Sequence, residues 1–155
     1  MFLENIKQTI QNYHMIEKGD RIVVGVSGGA DSIALLAVFC ALQKEYDINI
    51  EAVHIHHGLR GKEADRDALF VKQICKEWCI PCHILEFDIA KEAKEKGIGL
   101  EEMGRICRYN VFYDIAGENG KIAVAHHQND QAETVLFNLC RGAGLTGLCG
   151  MTPVR

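Results

Sequence analysis

Two periods of hydrophobic residues alternate along this chain, and short polar or glycine-containing breaks separate them. Apolar residues that recur about every three or four positions predict helices, whereas short β-branched runs predict buried strands. Strands are predicted at Arg21–Val26, Asn49–Ile55, Cys82–Phe87 and Lys121–Ala125. Helices are predicted at residues 2–16, Ser32–Lys44, Lys62–Cys79, Asp88–Lys96, Leu100–Asn119 and Asp130–Cys140, with a glycine-rich loop at Arg141–Arg155.

This alternation of strands and helices predicts an α/β fold in which a parallel sheet carries helices on both faces. The crossover connections between parallel strands are right-handed, and ligands bind beyond the carboxyl ends of the strands. Loops with chemically useful residues follow three of the predicted strands, at Ser27–Gly29, His56–Gly58 and His126–His127. We therefore expect these three loops to converge on one crevice.

The first of these loops belongs to the stretch Ser-Gly-Gly-Ala-Asp-Ser, residues 27–32. Adjacent glycines allow a ligand to approach the backbone closely, and the unpaired N–H groups at a helix start bind phosphate. The stretch lacks the lysine of a Walker A motif and the glycine spacing of a dinucleotide site. It resembles the loop with which ATP pyrophosphatases hold pyrophosphate, although Asp31 or Ser32 could also serve only as a helix cap.

The second loop lies within the segment His-Ile-His-His-Gly-Leu-Arg at residues 54–60. Its side chains could contact a phosphate or a nucleobase, and the open backbone of a strand end could read adenine. A zinc site and a purely structural role are the alternatives. Zinc is disfavoured because neighbouring side chains on an extended chain point in opposite directions.

Candidate catalytic charges occur in two later segments. Arg105 has the spacing to pair with Glu101 on a helix surface, or it could face the crevice and neutralise phosphate charge. Asp130 and Glu133 have the spacing of a capping box, but two carboxylates there could also hold an ammonium group or Mg²⁺. The preceding His126 could move a proton near neutral pH.

Composition limits the classes of protein. The chain has 155 residues, is 48% hydrophobic and carries a net charge of −4. No apolar run approaches the roughly 20 residues of a membrane helix, and no signal peptide is evident, so we expect a cytoplasmic protein without a membrane partner. Because an acidic chain is unusual for an independent nucleic-acid binder, the ligand is small, or RNA is held by a local patch or another domain.

The seven cysteines include Cys75, Cys79 and Cys82, whose spacing matches that of iron–sulfur clusters in radical enzymes. Cys75, however, falls on the apolar face of a predicted helix, and Cys82 opens a predicted strand after Pro81. These positions predict reduced core thiols in place of a cluster or a disulfide framework.

Taken together, the motifs resemble one family, the N-terminal catalytic domain of bacterial tRNA(Ile)-lysidine synthetases. They are residues 27–32, 54–60, 101–109, 125–134 and 141–148, and they occur in the family's order. The resemblance implies a PP-loop ATP pyrophosphatase fold, which is adenine nucleotide alpha hydrolase-like. It also implies that residues 1–155 form a single domain, truncated before the family's tRNA-binding C-terminal domains.

The resemblance further implies the ligation of free L-lysine to C2 of the wobble cytidine of tRNA(Ile) with anticodon CAU. ATP and Mg²⁺ are the implied cofactors, and AMP and pyrophosphate leave. The implied catalytic residues are Arg105, His126, Asp130 and Glu133. The implied ATP-binding residues are Ser27, Gly28, Gly29, Ala30, Asp31, Ser32 and Ile55, with Asp31 also near the metal. A tRNA-thiolating enzyme with the same loop, an amide-forming synthetase and a nucleotide-binding module without turnover are the alternatives.

Overall fold

The computed structural model describes residues 2–56, 58, 61–141 and 149–154. The motif residues His57, Leu59 and Arg60 and the glycine-rich segment 142–148 lie outside the described residues. The helices are α1 (Phe2–Asn12), α2 (Ala30–Tyr46), α3 (Lys62–Glu77), α4 (Ile89–Lys96), α5 (Leu100–Ala116) and α6 (Gln128–Cys140). The strands are β1 (Arg21–Gly25), β2 (Asn49–His56), β3 (Cys82–Glu86) and β4 (Lys121–Val124). In the described part of the chain, no helix is long and apolar enough to span a bilayer.

The four strands form one parallel sheet in the order β3-β2-β1-β4. Val24 pairs with Ala52 of β2 on one side and with Ala123 of β4 on the other, so β1 is a central strand. Its residues Ile22, Val23 and Val24 are almost fully buried, as a central parallel strand covered on both faces requires. The predicted fold class is therefore confirmed.

Helices cover both faces of this sheet. Helix α5 packs on one face, where Val23 and Val53 meet Val111 and Phe112. Helices α2 and α3 contact β1, β2 and β3, and the alternation of side chains along a strand places them on the opposite face. Helix α4 packs against α5 through Ile89, Ala93, Met103 and Cys107 rather than against the sheet.

The helix ends differ from the prediction at several places for local reasons. Helix α1 ends at Asn12 and not at residue 16, because His14 takes a left-handed conformation with φ +49°. Helix α3 ends at Glu77 and not at Cys79, because Cys79 has φ +56° and Ile80 donates to the Cys75 carbonyl. Such reversals satisfy the free carbonyls of a helix end, so the helix stops before Pro81.

The chain divides into two compact units. One comprises residues 17–124, which contain the whole sheet and α2 to α5. The other comprises residues 1–16 and 125–155, which contain α1 and α6. In the second unit, the Gln131 side chain accepts from the Met151 N–H at 2.7 Å and donates to the Cys149 carbonyl at 3.3 Å. The assignment of residues 1–155 to a single domain stays a prediction.

Candidate functional site

The loop after β1 makes a sharp turn into α2. Gly28 has φ +93°, and a Cβ built there would lie 3.1 Å from the Cβ of Asp67 on α3. Gly29 is the N-cap of α2, with φ −77°, and no side chain caps the helix. The capping role considered for Asp31 or Ser32 is therefore not the one they have.

Ser27 and Ser32 hold the loop together from within. The Ser32 hydroxyl is buried and donates to the Gly29 carbonyl at 2.9 Å, and its oxygen accepts from the Ser27 N–H at 3.1 Å. The two serine oxygens lie 3.1 Å apart, so the Ser27 hydroxyl donates to Ser32 and also accepts from the Gly29 N–H at 3.3 Å. This network fixes the loop without any bound ligand.

The network leaves the N–H groups of Gly28, Ala30 and Asp31 without an acceptor among the described residues. These donors stand at the positive end of the α2 dipole, which favours an anion such as a phosphate. Ser27, Gly29, Ala30 and Asp31 are all exposed to solvent. The loop thus provides an open and preformed site for an anion.

Strand β2 ends beside this loop. The Val26 N–H donates to the Val53 carbonyl at 2.8 Å, which is the last backbone hydrogen bond between the β1 and β2 segments at this end of the sheet. In a parallel ladder, alternate residues point their peptide groups to the same side, so the peptide groups of Ile55 point toward the β1 side. The Ile55 N–H donates to no described residue, and its edge is available to a planar ligand such as a nucleobase.

Two histidines of the 54–60 segment are engaged inside the fold. His54 is buried, and its Nδ1 lies 2.8 Å from the Val26 carbonyl oxygen. His56 is also buried, and its Nε2 lies 3.1 Å from Asp65 while its Nδ1 accepts from the Gly58 N–H at 3.3 Å. Both histidines therefore have a structural role: they hold the neighbouring loops by hydrogen bonds and do not line an open surface.

Arg105 lies in the second turn of α5, and α5 runs back along the sheet to β4, so its first turns lie at the carboxyl edge. The exposed Arg105 guanidinium stacks over the Tyr109 ring, 5.5 Å from its centre. No carboxylate among the described residues is within ion-pair distance of it, so the pair with Glu101 is not formed. Its N–H donors remain available for a ligand at this edge.

The predicted residues His126, Asp130 and Glu133 lie in the unit that contains α6. The capping box there differs from the expected one: His127 is the N-cap and Asp130 is the third helical residue. Asp130 accepts from the His127 N–H at 2.8 Å, and its own N–H donates to Nδ1 of His127 at 3.2 Å. Because His127 is the N-cap, α6 begins at Gln128 rather than at Asp130. Glu133 is outside this box and is exposed.

Comparison with known proteins shows the family of this chain. The profile of the PP-loop domain family matches residues 2–155. The chain belongs to the PP-loop domain family. We use the name PP-loop below for residues 27–32, the segment that follows β1 and leads into α2.

Curated relatives of this PP-loop chain are tRNA(Ile)-lysidine synthases. The proteins from Clostridium tetani and Geobacillus kaustophilus are 44% and 37% identical over 155 residues, or 99% of this chain, which is 33% of each relative. The protein from Bacteroides thetaiotaomicron is 43% identical over 99% of this chain and 35% of its own length. The chain therefore spans about a third of the length of these relatives.

A solved structure shares the fold. The U34-tRNA thiolase NcsA from Methanococcus maripaludis, with its [4Fe-4S] cluster, matches with a TM-score of 0.74 over 96% of this chain and 52% of its own. Its sequence identity of 20% supports a common fold and nothing finer.

The cysteine triplet lies away from the PP-loop. Cys82 begins β3, so it lies at the amino edge of the sheet, whereas the PP-loop is at the carboxyl edge. Cys75 is buried, as the helical period predicted, and a hydrogen bond with Cys82 together with burial raises the pKa of its thiol. Cys79 is exposed. The interpretation of Cys75 as a core thiol is confirmed.

The PP-loop residues fit Mg²⁺ that arrives with a nucleotide. Asp31 presents an exposed carboxylate in the first turn of α2. Mg²⁺ is commonly held by one or two carboxylates together with substrate phosphates and water, so a full protein cage is not needed. Among the described residues no group of three or more histidine, cysteine or carboxylate side chains forms such a cage.

Two contacts of the PP-loop could not be predicted from sequence. Asp67 approaches Gly28 from α3, and no motif or period marks that long-range contact. His54 was selected as a possible ligand contact, but its hydrogen bond to Val26 depends on the pairing of β1 with β2. Both contacts can be recognised only in the folded structure.

Proposed function

We propose that this chain is the ATP-binding part of a cytoplasmic tRNA(Ile)-lysidine synthetase. The observation that carries the proposal is the similarity to tRNA(Ile)-lysidine synthases of 37% to 44% identity along 99% of the chain. The open anion site of the PP-loop is consistent with it, because the reaction requires a bound triphosphate. Since the relatives are about three times longer, the complete reaction is proposed for the protein as a whole.

In this proposal ATP lies along the carboxyl edge of the sheet. The N–H groups of Gly28, Ala30 and Asp31 hold the β- and γ-phosphates, and the exposed Ser27 hydroxyl turns from Ser32 to donate to a phosphate oxygen. Ser32 and Gly29 keep the loop in shape through their mutual hydrogen bond. The peptide groups of Ile55 read the adenine edge. Mg²⁺ beside Asp31 neutralises phosphate charge when it is bound.

The proposed chemistry has two steps on the wobble cytidine of tRNA(Ile) with anticodon CAU. The C2 carbonyl oxygen attacks the α-phosphorus of ATP, and pyrophosphate leaves. The ε-amine of free L-lysine then attacks C2, loses a proton, and AMP leaves to give lysidine. Arg105 stabilises charge on the phosphate during the first step, because a guanidinium spreads several donors over its oxygens.

The remaining roles fall to residues near the start of α6. Asp130 and Glu133 are separated by three positions on one helix, so both carboxylates can face a common ammonium group. We assign to them the lysine side chain or a metal ion. His126 assists activation at the phosphate by moving or donating a proton.

The test is mass spectrometry of tRNA(Ile) after incubation with ATP and lysine. A mass gain of one lysine less one water on cytidine 34, with equal amounts of AMP, supports the proposal. The matched controls are tRNA(Met) with the same CAU anticodon and a Glu133→Gln variant. Transfer of sulfur, AMP formation without RNA, or ATP binding without any turnover in the full-length protein would each contradict it.

The same experiment should also compare the activity of this chain with that of a longer relative. We expect the 155-residue chain to bind ATP but to modify tRNA less well than the full-length relative from Clostridium tetani, which is about three times longer. The reason is that a chain with a net charge of −4 attracts the negatively charged tRNA backbone poorly. Equal lysine incorporation by both proteins would show that this chain is sufficient.

A further inference from the structure

His54 is a buried side chain that has no role in the chemistry proposed above. It is only 3% exposed, and its Nδ1 lies 2.8 Å from the Val26 carbonyl oxygen. A carbonyl oxygen can only accept, so Nδ1 carries the hydrogen in this contact. The other ring nitrogen, Nε2, is buried and has no partner among the described residues. A buried polar group that is only half satisfied usually has a specific reason to be there.

The carbonyl that His54 contacts belongs to the peptide that opens the PP-loop. The same peptide carries the Ser27 N–H, which donates to the Ser32 hydroxyl oxygen at 3.1 Å. Both polar groups of the Val26–Ser27 peptide are therefore held, one from the sheet by His54 and one from α2 by Ser32. With both held, the peptide plane cannot rotate freely, and the direction in which the loop leaves β1 is set.

The contact also ends the ladder between β1 and β2. The preceding rung joins the Val26 N–H to the Val53 carbonyl at 2.8 Å. In a parallel ladder the next rung would join the Ile55 N–H to the Val26 carbonyl. That rung is absent among the described residues, and the His54 ring donates to the carbonyl instead. The Ile55 N–H is consequently left open at the edge proposed for adenine.

We infer that His54 is a positioning residue of the nucleotide site. By donating Nδ1–H to Val26 it orients the peptide that opens the PP-loop, and it keeps the Ile55 N–H free for the base. His54 acts through the backbone and does not touch the nucleotide. The expected effect of His54 on ATP binding rests on the proposed function, whereas the hydrogen-bond pattern can be tested without any ligand.

The ligand-free test uses nuclear magnetic resonance on the 155-residue chain. Long-range proton–nitrogen spectra should show that the hydrogen of the His54 ring is on Nδ1. In His54→Leu, amide exchange at Ser27 should become about tenfold faster, the factor expected for one lost hydrogen bond, while exchange at Ile55 should become slower as the missing rung forms. General destabilisation would accelerate both amides. A ring hydrogen on Nε2 alone, or exchange at the two amides that changes in the same direction, would overturn the inference.

The binding test titrates Mg·ATP into the same proteins by calorimetry. We expect His54→Leu to weaken binding by roughly five- to tenfold, since the hydrogen bond that shapes the site is lost. His54→Asn places an amide donor near the position of Nδ1 and should restore affinity to within about threefold, whereas His54→Gln places it too far out and should not. This comparison remains informative if the leucine variant does not fold.

The matched control is His83→Leu, which removes another histidine hydrogen bond of the sheet. His83 Nε2 lies 2.9 Å from Glu51, remote from the PP-loop, so exchange at Ser27 and ATP affinity should not change. Equal affinities of the wild type, His54→Leu and His54→Gln would overturn the positioning role. If the wild type itself binds no ATP, the proposed function fails, while the exchange pattern still decides whether His54 orients the loop.

Discussion

Gly28 and Gly29 are neighbours in the PP-loop, but the structure predicts opposite responses to alanine. Gly28 has φ +93°, and a Cβ there would lie 3.1 Å from the Cβ of Asp67. A side chain at positive φ costs about 1–2 kcal/mol, and the close contact adds to it, so we expect Gly28→Ala to lower the free energy of unfolding by about 2–3 kcal/mol.

Gly29→Ala is the matched control for that substitution. Gly29 has φ −77°, and its added Cβ would meet only the Ser27 hydroxyl oxygen at 3.5 Å, an ordinary contact. Alanine at a compatible backbone position is neutral or stabilises by up to about 1 kcal/mol, because the unfolded chain has less freedom to lose.

Urea unfolding followed by far-ultraviolet circular dichroism measures both effects. The midpoint for Gly28→Ala should fall well below that of the wild type, and the midpoint for Gly29→Ala should stay the same or rise. Mg·ATP affinity should fall with Gly28→Ala as the loop shifts to relieve the contact. Indistinguishable midpoints for the two variants, or a larger loss for Gly29→Ala, would refute the assigned backbone geometry.

Three further tests by substitution concern the sheet, the catalytic assignment and the core. Arg21 donates a hydrogen bond to Glu51 and lowers the pKa of that carboxyl. The ion pair therefore stabilises the fold above the ordinary pKa of a glutamate, and this stabilisation is lost as the pH falls through the lowered pKa. Glu51→Gln should cost about 1 kcal/mol at pH 7 and flatten the decline of urea midpoints between pH 5 and 3. Arg105→Ala should slow lysine incorporation by about 100-fold with little change in urea midpoint, and Arg105→Lys should recover only part of the rate; an unchanged rate in a single-turnover assay would exclude its role. Cys75→Ser places a hydroxyl in the core and should lower the free energy of unfolding by about 1–3 kcal/mol, whereas Cys79→Ser, at an exposed position, should change it by less than about 0.5 kcal/mol.

Local pattern predicted the elements of this fold well: the strand ends are wrong by one residue each, and the larger errors fall at helix ends. Strand β3 and helix α5 begin at the predicted residues because the hydrophobic period changes sharply there. The hydrophobic pattern predicts the end of α3 two residues too late, because no local sequence signal indicates the left-handed conformation of Cys79. The start of α6 was placed two residues late because His127, an uncommon capping residue, supplies the cap.

The candidate site divides in the same way. Residues 27–32 and Ile55 were selected from sequence, since a glycine turn between strand and helix and an open strand end are local features. Sequence spacing favoured a pair between Glu101 and Arg105, whereas in the structure Arg105 stacks on Tyr109. Both partners are at helical spacing from Arg105, so only the folded surroundings decide which one it contacts.

For this protein the linear order of residues determined the succession of strands and helices, the position of the phosphate-binding turn and the family to which the chain belongs. Each of these depends on neighbours a few positions apart, whose periodicity and backbone freedom are written in the chain itself. Tertiary structure alone decided that Asp67 lies against Gly28 and that the His54 ring replaces a strand hydrogen bond. Those contacts join segments distant in sequence, and they exist only once β1 and β2 pair and α3 packs across them.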